Sequence, residues 1–180
     1  MPKLVTAKRQ DNETELAREY VRAHILFPSA VLGLVFMLSG AGSLIYQFFV
    51  QSYGWMTFSE TSGLMLLGIG LGWVQTRYHR YLLATHPQYF AARQRLFGRS
   101  TGGKRMKKDA QQMDAVEHPG RKWIPLGYLA GLALMVGVAG MAAAFGHVYF
   151  MAAFLLPWAS FFWAKMFFWR GVLPQRDAAS

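Results

Sequence analysis

The sequence predicts an all-α, polytopic membrane protein with four transmembrane helices arranged as two helical hairpins and both termini cytoplasmic. Three observations carry this. Residues 25–76 contain one acidic or basic side chain, Glu60, and residues 123–169 contain one, Lys165. Each block is long enough for two helical crossings of about 20 residues. Five Lys/Arg precede the first block, eleven of the nineteen lie in 77–122, and the short joints within each block carry none. Cationic loops stay on the cytoplasmic side, so that count fixes the orientation. The organisation follows: a cytoplasmic segment 1–24, hairpin 25–76, a basic cytoplasmic loop 77–122, hairpin 123–170 and a tail 171–180.

Composition agrees. Apolar residues make up 53% of the chain and charged residues only 16%, well under the roughly 25% of soluble domains. The net charge of +10 sits almost wholly outside the apolar blocks. The absence of cysteine excludes disulfides, thiolate metal sites and covalent C-x-x-C-H haem attachment. The N-terminus reads poorly as a signal peptide, because mixed charges run to Arg22 and the apolar run that follows is far longer than an h-region. The first apolar stretch is expected to stay in place as a crossing.

Taken in order, Asn12 with Glu15 three residues on reads as a helix start, and Leu16, Tyr20, Val21 and His24 then recur at helical spacing. This gives a short amphipathic helix ahead of the first crossing. That crossing, 25–50, has Pro28 in its first turn, where a missing N–H costs little. Gly33, Gly40 and Ser43 fall near one of its faces. A cation-free loop at 51–60 carries Tyr53, Trp55 and Phe58, residues suited to the membrane interface. The second crossing, 59–75, takes Ser59 and Glu60 as its N-terminal cap. Its Gly63, Gly68, Gly70 and Gly72 read as close-packing positions, because the G-x-G-x-x-G spacing and preceding strand of a dinucleotide loop are missing.

The helix is expected to continue past Arg77 and stop before Pro87. Residues 88–97 set Tyr89, Phe90, Leu96 and Phe97 opposite Arg93 and Arg95, the pattern of a short helix lying among headgroups. Lys104, Arg105, Lys107 and Lys108 form a basic cluster worth about 1 kcal/mol per cation near an anionic leaflet. Arg93, Arg95 and these four are read as lipid-headgroup contacts. Nucleic-acid binding, which favours aromatics interleaved with cations on a folded platform, is not expected.

The third crossing begins at Trp123 with Pro125 in its first turn. Ala130, Ala133, Gly137, Gly140 and Ala144 recur at alternating spacings of three and four, Gly127 extends the series, and Gly127 with Gly131 makes a G-x-x-x-G pair. Small residues in such a stripe let another helix approach closely. The expected neighbour is the fourth crossing, 148–169, rich in Phe and Trp, with Pro157 midway and Lys165 snorkelling to the cytoplasmic face. A weak echo between 27–34 and 124–132 is compatible with duplicated hairpins.

The chemistry offered is sparse. Intramembrane ionisable groups are the usual functional pointers, and here they reduce to Glu60, read as an interfacial cap, and Lys165, read as an anchor. His24 and His147 fall near opposite membrane faces and cannot share a haem. His79 and His86 lack i, i+4 spacing. No G-x-S-x-G, H-E-x-x-H or paired carboxylates occur. The sequence therefore points to a non-catalytic accessory, scaffold or assembly subunit of a larger bacterial-type inner-membrane complex, without cofactor or metal. Its expected partners are a bilayer with anionic headgroups and other membrane subunits or copies of itself. The rival readings are a small oligomeric transporter or channel lined by the Gly-rich second helix and Glu60, and a redox or lipid-modifying subunit using His24 or His147 and contacting quinone or haem.

Overall fold

Every regular element among the described residues is a helix. The computed structural model describes residues 12–50, 53–98 (side chains to 94) and 123–170. Helix α1 spans Asn12–Val50, α2 Trp55–Thr85, α3 Pro87–Gly98, α4 Ile124–Ala144 and α5 Phe150–Trp169. Three of these, α1, α4 and α5, are long and apolar enough to cross a membrane, judged by length and composition.

The first correction concerns α1. The amphipathic segment and the first crossing are one helix, and Asn12 is already inside it, so it is not the expected cap. Pro28 is then interior. The helix accommodates it through a π-helical stretch, Val21–Leu26, in which the Phe27 N–H donates to the Arg22 carbonyl five residues back. A proline ring presses on the carbonyl four residues earlier, here that of His24, and supplies no N–H. A widened turn just ahead of the ring absorbs that misfit locally, so the helix continues where a break would otherwise fall.

The second correction concerns α2, which begins at Trp55 and not at Ser59. Its first turn closes through the Phe58 N–H to the Gly54 carbonyl, which leaves Ser59 and Glu60 inside the helix rather than capping it. The helix ends at Thr85, and His86 separates it from Pro87 at the head of α3.

The chain divides into two compact units. One comprises Met1–Phe27 and Arg77–Arg121. Its described part is organised around Phe90 of α3, which is buried. The Tyr20 ring lies 5.9 Å from that of Phe90, and His79 meets the same ring edge-on at 6.2 Å. Phe90 and Ala91 of α3 are thus turned onto protein, with Ala17, Val21 and Leu82 also buried. His24 stacks on Tyr20 at 4.8 Å.

The other unit comprises Pro28–Thr76 and Lys122–Ser180, and α5 is its hub. Gly33 and Gly40 of α1 abut α5: a Cβ built on Gly33 would lie 3.2 Å from Phe162 Cβ, and one on Gly40 would lie 3.0 Å from Leu156 Cδ2. The residue numbers run in opposite senses, so α1 and α5 are antiparallel. Gly72 of α2 comes so close that a Cβ would sit 2.7 Å from the Phe161 carbonyl oxygen and 2.9 Å from Ala164 Cβ. At Gly68 a Cβ would run into the Pro157 carbonyl and the Ser160 hydroxyl. Here the numbers rise together, so α2 and α5 are parallel. Gly63 and Gly70 face open space.

Helix α4 meets the core with a face other than the one expected. Met135, Ala139 and Ala142 are buried, and Ala139 and Ala142 join Leu64, Val148, Ala152, Ala153 and Leu156 in one cluster. Within this unit much of the outer surface is large and apolar, including Leu38, Phe49, Leu66, Leu129, Phe150 and Phe167. Water-facing surfaces rarely carry so much contiguous hydrocarbon.

Candidate functional site

A cluster of polar contacts lies where α1 ends, α2 begins and the α4–α5 turn passes between them. The turn is tight because Gly146 takes φ of 76°, a left-handed conformation that costs glycine no Cβ clash. The Gly146 N–H bonds the Ala143 carbonyl and the Phe145 N–H that of Met141, which closes α4. His147 and Tyr149 then present their backbone groups to the neighbouring helices.

Gln47 of α1 reads this backbone on both sides. Its Nε2 donates to the His147 carbonyl at 2.6 Å, and its Oε1 accepts from the Tyr149 N–H at 3.0 Å. Gln47 is buried and lies seven residues after Gly40 and fourteen after Gly33, on the stripe of α1 that meets α5. From α2, the Thr57 hydroxyl donates to the same His147 carbonyl at 2.9 Å. Thr61 turns its hydroxyl back onto the Thr57 carbonyl at 2.8 Å. These buried polar side chains are thereby satisfied.

The ring of His147 makes the remaining tie. Its Nδ1 lies 3.0 Å from Glu60 Oε1, with 47% of the histidine side chain and 20% of the glutamate side chain exposed. A carboxylate only accepts, so Nδ1 carries the proton in this contact. The other carboxylate oxygen, Oε2, is covered and accepts no hydrogen bond from the described residues. This geometry orients the imidazole and leaves Nε2 to exchange a proton with its surroundings. Among the described residues no group of three or more His, Cys, Asp or Glu converges on a metal position. Thr57 is committed to a carbonyl and is not poised as a nucleophile. The chemistry this arrangement supports is proton binding together with mechanical attachment of the turn.

The other residues singled out from sequence lie elsewhere. Among the described residues, Gly127, Gly137 and Gly140 have no atom within 4 Å of an added Cβ, and Gly131 meets only Leu71 Cδ2 at 3.8 Å. Ala130, Ala133 and Ala144 are exposed. Contrary to expectation, the stripe's glycines do not meet α5 among the described residues; Ala139 and Ala142 join the cluster that holds Ala152, Ala153 and Leu156 of α5. Arg93 stands over the Tyr89 ring at 4.8 Å. The side chains of Arg95, Lys104, Arg105, Lys107 and Lys108 lie outside the described residues.

Lys165 does not snorkel. It is 8% exposed, and its ammonium sits 5.2 Å from the centre of the Phe161 ring and 5.9 Å from that of Phe162. Both rings precede it, on the side away from the end of α5. Long helical side chains lean toward the helix N-terminus, and two aromatic faces there hold the cation by ring electrostatics. Lys165 cannot neutralise Glu60. Parallel α2 and α5 are level at Gly72 and Phe161, and at 1.5 Å per residue the two charges are about 24 Å apart along the axis.

Sequence reasoning missed Gln47 and Thr57 and misassigned Glu60. One signal was available: Gln47 continues the Gly33–Gly40 heptad and is the one strongly polar side chain in residues 44–50. The partners, which are backbone groups of a distant turn, leave no mark in sequence. Comparison of the chain with protein-family models, with curated proteins and with solved structures finds no match.

Proposed function

We propose that this chain is a four-crossing protein of a bacterial-type inner membrane, both termini cytoplasmic, acting as a non-catalytic accessory, scaffold or assembly subunit of a larger complex. The fourth crossing is α2. It lies parallel and in close glycine contact with α5, so whatever medium surrounds α5 surrounds its core as well. The observation that carries the functional reading is the use made of small residues. The chain's internal contacts consume Gly33, Gly40, Gly68 and Gly72, whereas Gly127, Gly137 and Gly140 on α4 are left open. In lipid, association rests on close packing and interhelical hydrogen bonds, and an open small-residue face accommodates a helix from another chain.

The test is Gly137→Leu with Gly140→Leu, followed by purification in mild detergent. The expected result is loss of co-purifying subunits, or of self-association, with the helical content unchanged. Retention of the same stoichiometric partners by the double variant overturns the reading, and so does a wild-type chain that purifies alone and monomeric. A transporter reading draws on the Glu60–His147 pair. It requires proteoliposome flux that Glu60→Gln abolishes.

A further inference from the structure

The four ties at the α4–α5 turn differ in kind. Three of them, from Gln47 Nε2, Thr57 Oγ1 and the Tyr149 N–H, involve groups that do not titrate. The fourth, His147 Nδ1 to Glu60 Oε1, joins two groups that do. We infer that the Glu60–His147 pair is a proton-binding site that sets how firmly the α4–α5 turn is latched to α2. This goes beyond the subunit reading and does not depend on it.

Among the described residues no other charge competes at this position. On α1 the Gln47 side chain is neutral, and residues 28–50 hold no ionisable group besides Tyr46, whose ring lies 5.8 Å from that of Tyr149. On α2 the facing groups are Thr57, Thr61 and Glu60 itself, and α4 carries no charge. The nearest charge on α5 is Lys165, about 24 Å along the axis. The pair therefore answers to solvent protons, which reach it through the exposed side of the imidazole.

The direction follows from which partner takes the proton. With a neutral imidazole, Nδ1–H donates to a carboxylate. A proton on Nε2 makes the contact a charged pair, with a shorter and stronger bond. A proton on Glu60 then removes the negative charge and leaves a cationic ring against a neutral acid. The latch is therefore tightest with a cationic ring facing a carboxylate, weaker with a neutral ring, and released once the carboxylate itself is protonated.

The absence of cysteine makes the measurement direct. Trp55→Cys and Phe145→Cys, at positions 81% and 71% exposed, accept spin labels on the full chain in nanodiscs. Electron–electron distance distributions are recorded at three pH values, alkaline, mildly acidic and strongly acidic. The expected result is the narrowest distribution at the middle pH and loss of the narrow component at the lowest. Glu60→Gln and, independently, His147→Asn should give distributions that do not change with pH. Gln47→Leu should broaden all three while keeping their order. Identical distributions for the unsubstituted pair at all three pH values, or a pH response surviving in Glu60→Gln, overturns the inference.

Discussion

A methyl group decides the packing at Gly68. There the Cβ of an alanine would occupy the space of the Pro157 carbonyl and Ser160 hydroxyl, whereas at Gly70, two residues on, it would meet nothing. The Pro157 carbonyl is backbone, already accepts from Ser160 Oγ at 3.0 Å, and cannot rotate aside. Gly68→Ala is expected to destabilise the fold by about 1–3 kcal/mol, the usual range for forced overpacking, and Gly70→Ala to leave it within about 0.5 kcal/mol. Unfolding by denaturing detergent, followed by circular dichroism, separates the two. Gln47 makes a similar case with polar atoms. Replacing it by leucine leaves the Tyr149 N–H without its acceptor, and an orphaned donor costs up to about 1–3 kcal/mol when buried. The same measurement should show Gln47→Leu less stable than wild type.

At the level of elements, periodicity and punctuation revealed much and partners revealed little. The long apolar runs, the stop before Pro87, the short helix at 88–97 and Pro125 in the first turn of α4 were all legible, because each depends on residues close in sequence. Two errors share a cause. Pro28 reads as a first-turn residue and Ser59–Glu60 as a cap, both local signals, and in each case the helix begins earlier in the chain. The small stripe on α4 reads as a close-approach surface for α5, yet its glycines meet almost nothing among the described residues, since one-dimensional spacing names a face and not its neighbour. The π stretch gives this scale its own prediction. If Val21–Leu26 is wide because of Pro28, Pro28→Ala should let the turn relax to regular α spacing. Carbonyl chemical shifts or amide exchange across 21–28 in labelled protein would register the change. A π signature unchanged in Pro28→Ala would place its cause elsewhere.

The whole molecule poses a question of sidedness that neither helices nor packing answer alone. Parallel α2 and α5, with α1 antiparallel to α5, require the α1–α2 joint and the α4–α5 turn to emerge at one end of their unit. The polar ties from Gln47 and Thr57 to His147 place them there together. No Lys or Arg occurs in either joint, while eleven lie in 77–122. If charge sets orientation in this chain as it generally does, single cysteines at Phe145 and Trp55 should react with an impermeant maleimide in intact cells. Cysteines at Thr101 and Ser180 should react only after the membrane is opened. The pattern discriminates because packing ties the first two positions to each other, whereas only the charge rule ties them to the outside. Labelling of Phe145→Cys and Trp55→Cys on opposite sides would contradict the packing. Labelling of both from inside would leave the packing intact and overturn the orientation alone.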